Sequence, residues 1–343
     1  MHRCGAPGPV PSDPLAHRTA VAGRPRVRPT ERRVPAVAYT VLLVGQLAVG
    51  SAAILARWGL DAGVPASALA AWRLALAALL VLGVGAVRGR RACRDAPLPA
   101  SLRWKLVAAG ICLGLHFVTW FQSLRMIPVG RSTLLVSTTP VFSGLLGVLL
   151  LHHRLARKFW IGLAIATGGV ALITAGPAAL RHGADGPEWL GDLLAVAGAA
   201  LIGIYLLIVQ DEQAAIGTRR VIAWTYSTAA VSMWALVPLL SPGRALLPAS
   251  GAAWGAIVGL ALVPQLVGHT AINWSLRHFP AGVVSAAALL EPVFAAALAW
   301  PIFGEPVRPL QALGAAFVLI GVGLAIQIGD RPPAEPGPRN PPR

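Results

Sequence analysis

Two sets of polar side chains interrupt apolar runs at helical spacing, and they are where chemistry could reside. Gln265, His269 and Asn273 stand at i, i+4 and i+8 of one run and form a single polar stripe on a helix otherwise apolar. Cys112, His116, Thr119, Trp120 and Ser123 fall on one face of an earlier run. Glu291 lies near the middle of a third, immediately before Pro292. Ionisable groups in hydrocarbon are costly, so each is a functional candidate. The proline frees a carbonyl one turn earlier and opens a kink. A carboxylate beside such a kink can bind a proton or a cationic group; held neutral, it can instead hydrogen-bond two packed helices. The stripes have the same two readings, a shared cavity wall or interhelical hydrogen bonding. Trp120 is either a pocket wall or an interfacial anchor.

Arg73 lies about two turns inside its run. It can bind an anionic substrate, snorkel outward, or pair with a carboxylate such as Glu305, and the structural pairing is the stronger reading of its position. Ser132, Thr133, Ser137, Thr138 and Thr139 precede Pro140 and suit helix packing and satisfaction of a kink. No carboxylate or cysteine joins the histidines at ligand spacing, so no metal site is expected. No nucleophile–base–acid set is present, so neither a catalytic centre nor an enzyme is expected, and no cofactor. Cys4, Cys93 and Cys112 share no disulfide-like spacing.

The elements that must position these groups follow from composition. Of 343 residues, 56% are hydrophobic and 12% charged, about half the charged share of a soluble domain, and the mean hydropathy is +0.67. A surface so poor in charge faces lipid. A bilayer core needs about 20 apolar residues per helix, and runs of that kind lie near 36–55, 66–87, 105–123, 129–151, 159–175, 190–209, 221–240, 254–275, 281–301 and 310–328. The fold class expected is therefore all-α integral membrane, with ten transmembrane helices. Residues 1–35, rich in Pro, Arg and Gly, read as a disordered basic tail, and 329–343 as a Pro-rich polar tail. The pair Arg32-Arg33 before an apolar run resembles a secretory or twin-arginine signal, but the many spans that follow favour a first helix that is retained.

Short links make the spans alternate in direction. With the N-terminus cytoplasmic, 22 Arg and Lys fall in inside segments, six fall outside and Arg73 stays within a span. That asymmetry places both termini in the cytoplasm by the positive-inside rule and accounts for the net charge of +16. It also argues against nucleic acid as a partner, because the basic residues form no helix face with interleaved aromatics.

The chain also matches itself at an offset of 152 residues. Ser123-Leu124-Arg125 pairs with Ser275-Leu276-Arg277, Pro140-Val141-Phe142 with Pro292-Val293-Phe294, Gly162 with Gly314, and Gly169-Val170 with Gly321-Val322. Residues 123–173 align without a gap and carry 14 identities in 51 positions, where composition alone would give about five or six. Two five-helix halves, 36–175 and 190–328, are expected. Five is odd, so the second half enters the bilayer from the opposite side. Inverted repeats of this kind are found in many secondary transporters, where the halves exchange conformations and open a centre to each side in turn.

The chain resembles the drug/metabolite transporter superfamily and, within it, the ten-helix EamA-type proteins. The residues that carry the likeness are Ala70-Ala71-Trp72-Arg73-Leu74, Gln265-Leu266-Val267-Gly268-His269, Asn273-Trp274-Ser275-Leu276-Arg277, Leu290-Glu291-Pro292-Val293, Phe303-Gly304-Glu305, Gly314 and Gly321. It extends over roughly 38–328. The family tends to end its fourth span with Gly-Glu-Arg; here His153 stands where that glutamate is expected. The resemblance implies secondary transport of a small metabolite, an amino acid or a related compound, often as export from the cell across the plasma (inner) membrane; the alternatives are an uptake or facilitated-diffusion carrier and, in another class, an integral membrane enzyme or a non-transporting scaffold. No Walker-type phosphate loop is present, in keeping with transport without ATP. The expected partners are a small-molecule substrate and the lipid bilayer, with a second copy of the chain as a further candidate.

Overall fold

Proline sets where several of the helices begin. Pro99, Pro128, Pro187 and Pro280 each occupy the residue before a helix with ψ between 133° and 150°; a residue without an N–H starts a helix at no loss of a backbone bond. The computed structural model describes residues 34–89, 97–152, 155–174, 186–303 and 307–326. Among these residues there is no strand, and nine helices are long and apolar enough to cross a membrane. In chain order they are α1 (Ala36–Asp61), α2 (Ala66–Ala86), α3 (Ala100–Met126), α4 (Arg131–Leu151), α5 (Arg157–Thr174), α6 (Glu188–Gln213), α7 (Ala215–Leu240), α8 (Gly251–Ser275) and, after the ninth apolar run, α10 (Pro309–Ile326). That run, α9, has a shorter apolar stretch, Ala281–Ala295. Each half thus contributes five helices. Just inside the start of α7, Gly217, with φ of 75° and ψ of 157°, breaks the helical run that links it to α6.

Helix α9 is irregular along its length. It runs as Ala281–Ala287, a 3-10 turn at Ala288–Leu290, and Glu291–Phe303. Helix α4 is interrupted at the equivalent place, between Val136 and Thr139. Both breaks lie just ahead of the paired prolines, Pro140 and Pro292, whose rings clash with the carbonyl four residues back. In α4 the freed Val136 carbonyl accepts a hydrogen bond from the Thr139 hydroxyl at 2.8 Å, and the Leu135 carbonyl one from Thr138 at 2.6 Å. Backbone opened inside a membrane helix must be satisfied within the protein, and the threonines do so.

Reciprocal glycine contacts show how the halves are related. Helix α5 packs along α10. A Cβ at Gly162 would lie 2.5 Å from the Gly321 carbonyl oxygen, and one at Gly169 would lie 2.6 Å from that of Gly314. The same distances recur from Gly321 to Gly162 and from Gly314 to Gly169. Rising numbers on α5 therefore meet falling numbers on α10, so these equivalent helices run antiparallel, as a two-fold in the membrane plane requires. Small residues permit this backbone approach.

The tails expected at 1–35 and 329–343 fall, but for residues 34 and 35, outside the described residues, as do His153, Gly304 and Glu305.

Candidate central cavity

The break in α4, the break in α9 and the middle of α8 converge on one cavity of about 60 Å³. Arg73 and His116 enter it from the first half, and His269 and Glu291 from the second. Ser137 and Thr139 come from the α4 break, and Gln46 from α1. Phe117, Ile202, Leu206 and Ile272 supply much of the apolar wall.

Arg73 is fully buried. Its Nε donates to the Gln265 Oε1 at 2.9 Å, and its guanidinium carbon lies 3.9 Å from the Phe117 ring centroid, a cation–π contact that holds the plane in place. Neither Nη1 nor Nη2 has a hydrogen-bond partner among the described residues. Glu291 is half-buried and acts electrostatically on Arg73. No ion pair joins the two among the described residues. At the repeat offset the counterpart of Glu291 is Thr139, the residue that satisfies the α4 break. Among the described residues the cavity consequently carries one carboxylate and not a symmetric pair.

His116 donates from Nδ1 to the Gly198 carbonyl at 2.8 Å, since a carbonyl can only accept, and this assigns its neutral tautomer. The ring stacks on Trp120, with centroids 6.1 Å apart and planes 19° from parallel. His269 meets the Phe117 ring edge-on at 5.2 Å, and its buried Nδ1 has no hydrogen-bond partner among the described residues. Phe117 thus lies against Arg73 and both histidines.

The stripe at 265, 269 and 273 does not stay on one face. Residues Ala261–His269 form a π-helix around Pro264. A π-helix takes more residues per turn than an α-helix, so the i, i+4, i+8 phase is lost. His269 lines the cavity. Gln265 lies behind Arg73, with its backbone carbonyl taking a 3.3 Å hydrogen bond from the Tyr226 hydroxyl. Asn273 is engaged away from the wall: its Oδ1 accepts from the Tyr205 hydroxyl at 2.8 Å and from Gln213 Nε2 at 3.2 Å, and its Nδ2 donates to the His269 carbonyl at 2.7 Å. The structure therefore brings His116, Trp120, His269, Glu291 and Arg73 together and leaves Gln265 and Asn273 off the wall. The snorkelling reading of Arg73 is overturned by its burial, and its observed partner is Gln265; Glu305 lies outside the described residues.

Several participants were not singled out by sequence reasoning. Gln46, fully buried, interrupts an apolar run as the cavity histidines do, and that was the available signal. Phe117, Tyr205 and Tyr226 carry none, because aromatic residues are ordinary members of an apolar span. Ion pairs also join the halves at both ends of α6. Lys105 binds Glu212 at 2.7 Å; Arg131 binds Glu188 at 2.8 Å and also Asp192.

Comparison with known proteins bears on what this arrangement does. The model of the EamA-like transporter family matches residues 36–175 and again 189–327. A probable terminal-alkyne amino-acid exporter of Streptantibioticus cattleyicolor is 27% identical over 78% of this chain and 86% of its own length. An uncharacterized transporter of Bacillus subtilis, YyaM, is 25% identical over 83% of this chain and 92% of its own. A shorter match, 36% over 62 residues, is to the probable 4-amino-4-deoxy-L-arabinose-phosphoundecaprenol flippase subunit ArnE of Escherichia coli, covering 18% of this chain and 56% of that protein. A solved crystal structure superposes with a TM-score of 0.68 at 19% identity, covering 86% of this chain and 99% of the other, a likeness of fold.

Proposed function

The chain belongs to the EamA-like transporter family and is a multi-pass membrane transporter, and we propose that it exports a small polar metabolite by alternating access around the central cavity. One observation carries the reading. Ionisable side chains from both family copies, Arg73 and His116 from the first and His269 and Glu291 from the second, meet in one cavity between antiparallel halves, beside two broken helices. Secondary transporters built from inverted repeats place their substrate at such an interface. The similarity to a protein described as an amino-acid exporter over most of its length supports export, and a solute of that size and polarity. Export from the cell places the protein in the plasma (inner) membrane, and the 22-to-six charge asymmetry supports both termini being cytoplasmic.

Coupling to protons completes the proposal, with Glu291 as the carrier. The charged and titratable groups facing it across the cavity are Arg73, His116 and His269, while α1, packed against α9, presents Gln46 there. A membrane potential acts on each charge moved by about 2.3 kcal/mol per 100 mV, enough to drive export without ATP. The test is flux of cell-extract metabolites through the purified protein in proteoliposomes, with and without an imposed pH gradient. Wild-type flux is expected to rise with the gradient and the flux of Glu291→Gln to ignore it. Saturable flux in which wild type and variant respond alike would remove the coupling and leave transport standing. No protein-dependent flux of any solute would remove the transport reading itself.

A further inference from the structure

Apart from the central cavity, Leu82 of α2 and Ala223, Trp224, Ser227, Thr228 and Val231 of α7 line a groove of about 390 Å³. Leu82 and Val231 are exposed, so the groove opens on the side of the bundle that faces hydrocarbon. We infer that it holds one acyl chain of an anionic glycerophospholipid of the inner leaflet, whose phosphate is bound by Arg219 and Arg220. This site shares no lining residue with the solute cavity. Only the choice of leaflet rests on the cytoplasmic placement of the termini.

The lining residues give the groove a direction. Ala223, Trp224, Ser227, Thr228 and Val231 recur at helical spacing and form one stripe on α7. Continued back by three and four residues, that stripe leads to Arg220 and Arg219. Arg219 is exposed and Arg220 partly so. Arg219 also reaches α2: a Cβ on Gly85 would lie 3.7 Å from its Nη1. Gly85 stands about one turn beyond Leu82, so the guanidinium lies over the mouth of the groove. Gly83 and Gly85 flank that turn of α2, and neither puts a side chain across it.

Length and charge decide the occupant. From Ala223 to Val231 the helix rises about 12 Å, and Val231 lies midway along the apolar run 221–240. The groove thus covers one leaflet of a hydrocarbon core about 30 Å thick. A docked helix would need a face along the whole thickness, whereas an acyl chain ends at the midplane. At the opposite end stand two adjacent arginines, with the half-buried Trp224 one turn below Arg220, a depth at which indole rings favour the membrane interface. A guanidinium offers a phosphate two parallel N–H donors. Each arginine near the surface raises affinity for anionic lipid by roughly fivefold. A zwitterionic headgroup gains less, because it brings an ammonium towards the same two cations.

Native mass spectrometry of the full-length protein in detergent tests the assignment. The probes are phosphatidylglycerol and phosphatidylethanolamine with matched chains, and glycerol phosphate as a headgroup without chains. Wild type is expected to retain one phosphatidylglycerol, roughly tenfold more tightly than phosphatidylethanolamine. Arg219→Gln combined with Arg220→Gln should bring the two lipids to similar affinity. Should that variant fail to fold, Arg219→Gln alone should weaken phosphatidylglycerol by roughly fivefold. Ala223→Phe and Leu82→Trp fill the groove from either wall and should weaken both lipids alike. The assignment is overturned if wild type binds the two lipids equally, or if both groove-filling variants retain phosphatidylglycerol as wild type does. It is also overturned if glycerol phosphate competes as well as the lipid, which would mark a site for a soluble anion, or if wild type is a dimer that the groove-filling variants dissociate, which would make a second copy the occupant. A detergent sample has no sides and carries no flux, so failure here strikes the lipid site and neither the topology nor the transport reading.

Discussion

At the residue scale, the cavity works by dividing labour between side chains that look alike in the sequence. Gln265 and Asn273 were grouped with His269 because all three are polar and four residues apart, yet only His269 reaches the wall. A stripe drawn on an ideal α-helix does not survive the π-helical turn around Pro264. Arg73 was legible as a charge in a span, but not its partner: its reach to Gln265 depends on how α2 and α8 pack, which spacing along one helix does not encode. Asn273 has a structural task, which makes a prediction. Asn273→Ala leaves the buried Tyr205 hydroxyl and Gln213 amide without their acceptor, and an unsatisfied buried group costs about 1–3 kcal/mol. A clear drop in thermal midpoint is expected, with the affinity of the surviving protein for substrate unchanged. Adding Tyr205→Phe should recover part of the loss. A variant as stable as wild type would show that the network contributes nothing.

At the scale of elements, α4, α8 and α9 are each irregular, and all three irregularities border the cavity. Two of them were legible as the paired prolines; the third was not, since Pro264 alone does not announce a nine-residue π-helix. Regular helix belongs instead to the α5–α10 pair, where Gly162, Gly169, Gly314 and Gly321 let two backbones touch. Here the prediction separates packing from helix propensity. Gly169→Ala and Gly321→Ala place a methyl where backbone atoms already stand at 2.5–2.6 Å, so the helices must part, at about 1–3 kcal/mol each. A Cβ at Gly168 or Gly323 meets nothing within 4 Å among the described residues, so Gly168→Ala and Gly323→Ala should raise the thermal midpoint in detergent slightly, by helix propensity alone. Equal effects of the two pairs would mean that the close approach is not what holds the halves together.

At the scale of the whole molecule, the offset of 152 residues exposed the duplication, and the antiparallel α5–α10 contact is its physical expression. The odd number of spans per half was enough to anticipate the inversion before any contact was known. Which residues meet in the middle was legible only in part, because a cavity wall depends on helix tilt and rotation that composition leaves free. The ion pairs at the two ends of α6 lay beyond the sequence for the same reason. Their exposed arginine and lysine make them weak, about 0–1 kcal/mol each. The most direct measurement is thiol accessibility from each face of the membrane, in a variant with Cys4, Cys93 and Cys112 replaced and a single cysteine at Ser137 or at Ala288, both on the cavity wall. A membrane-impermeant thiol reagent is applied to right-side-out and then to inside-out vesicles. Alternating access predicts that each cysteine reacts from both sides, and that substrate slows the reaction at both. Reaction from one side only, or from neither while loop cysteines react, would contradict it.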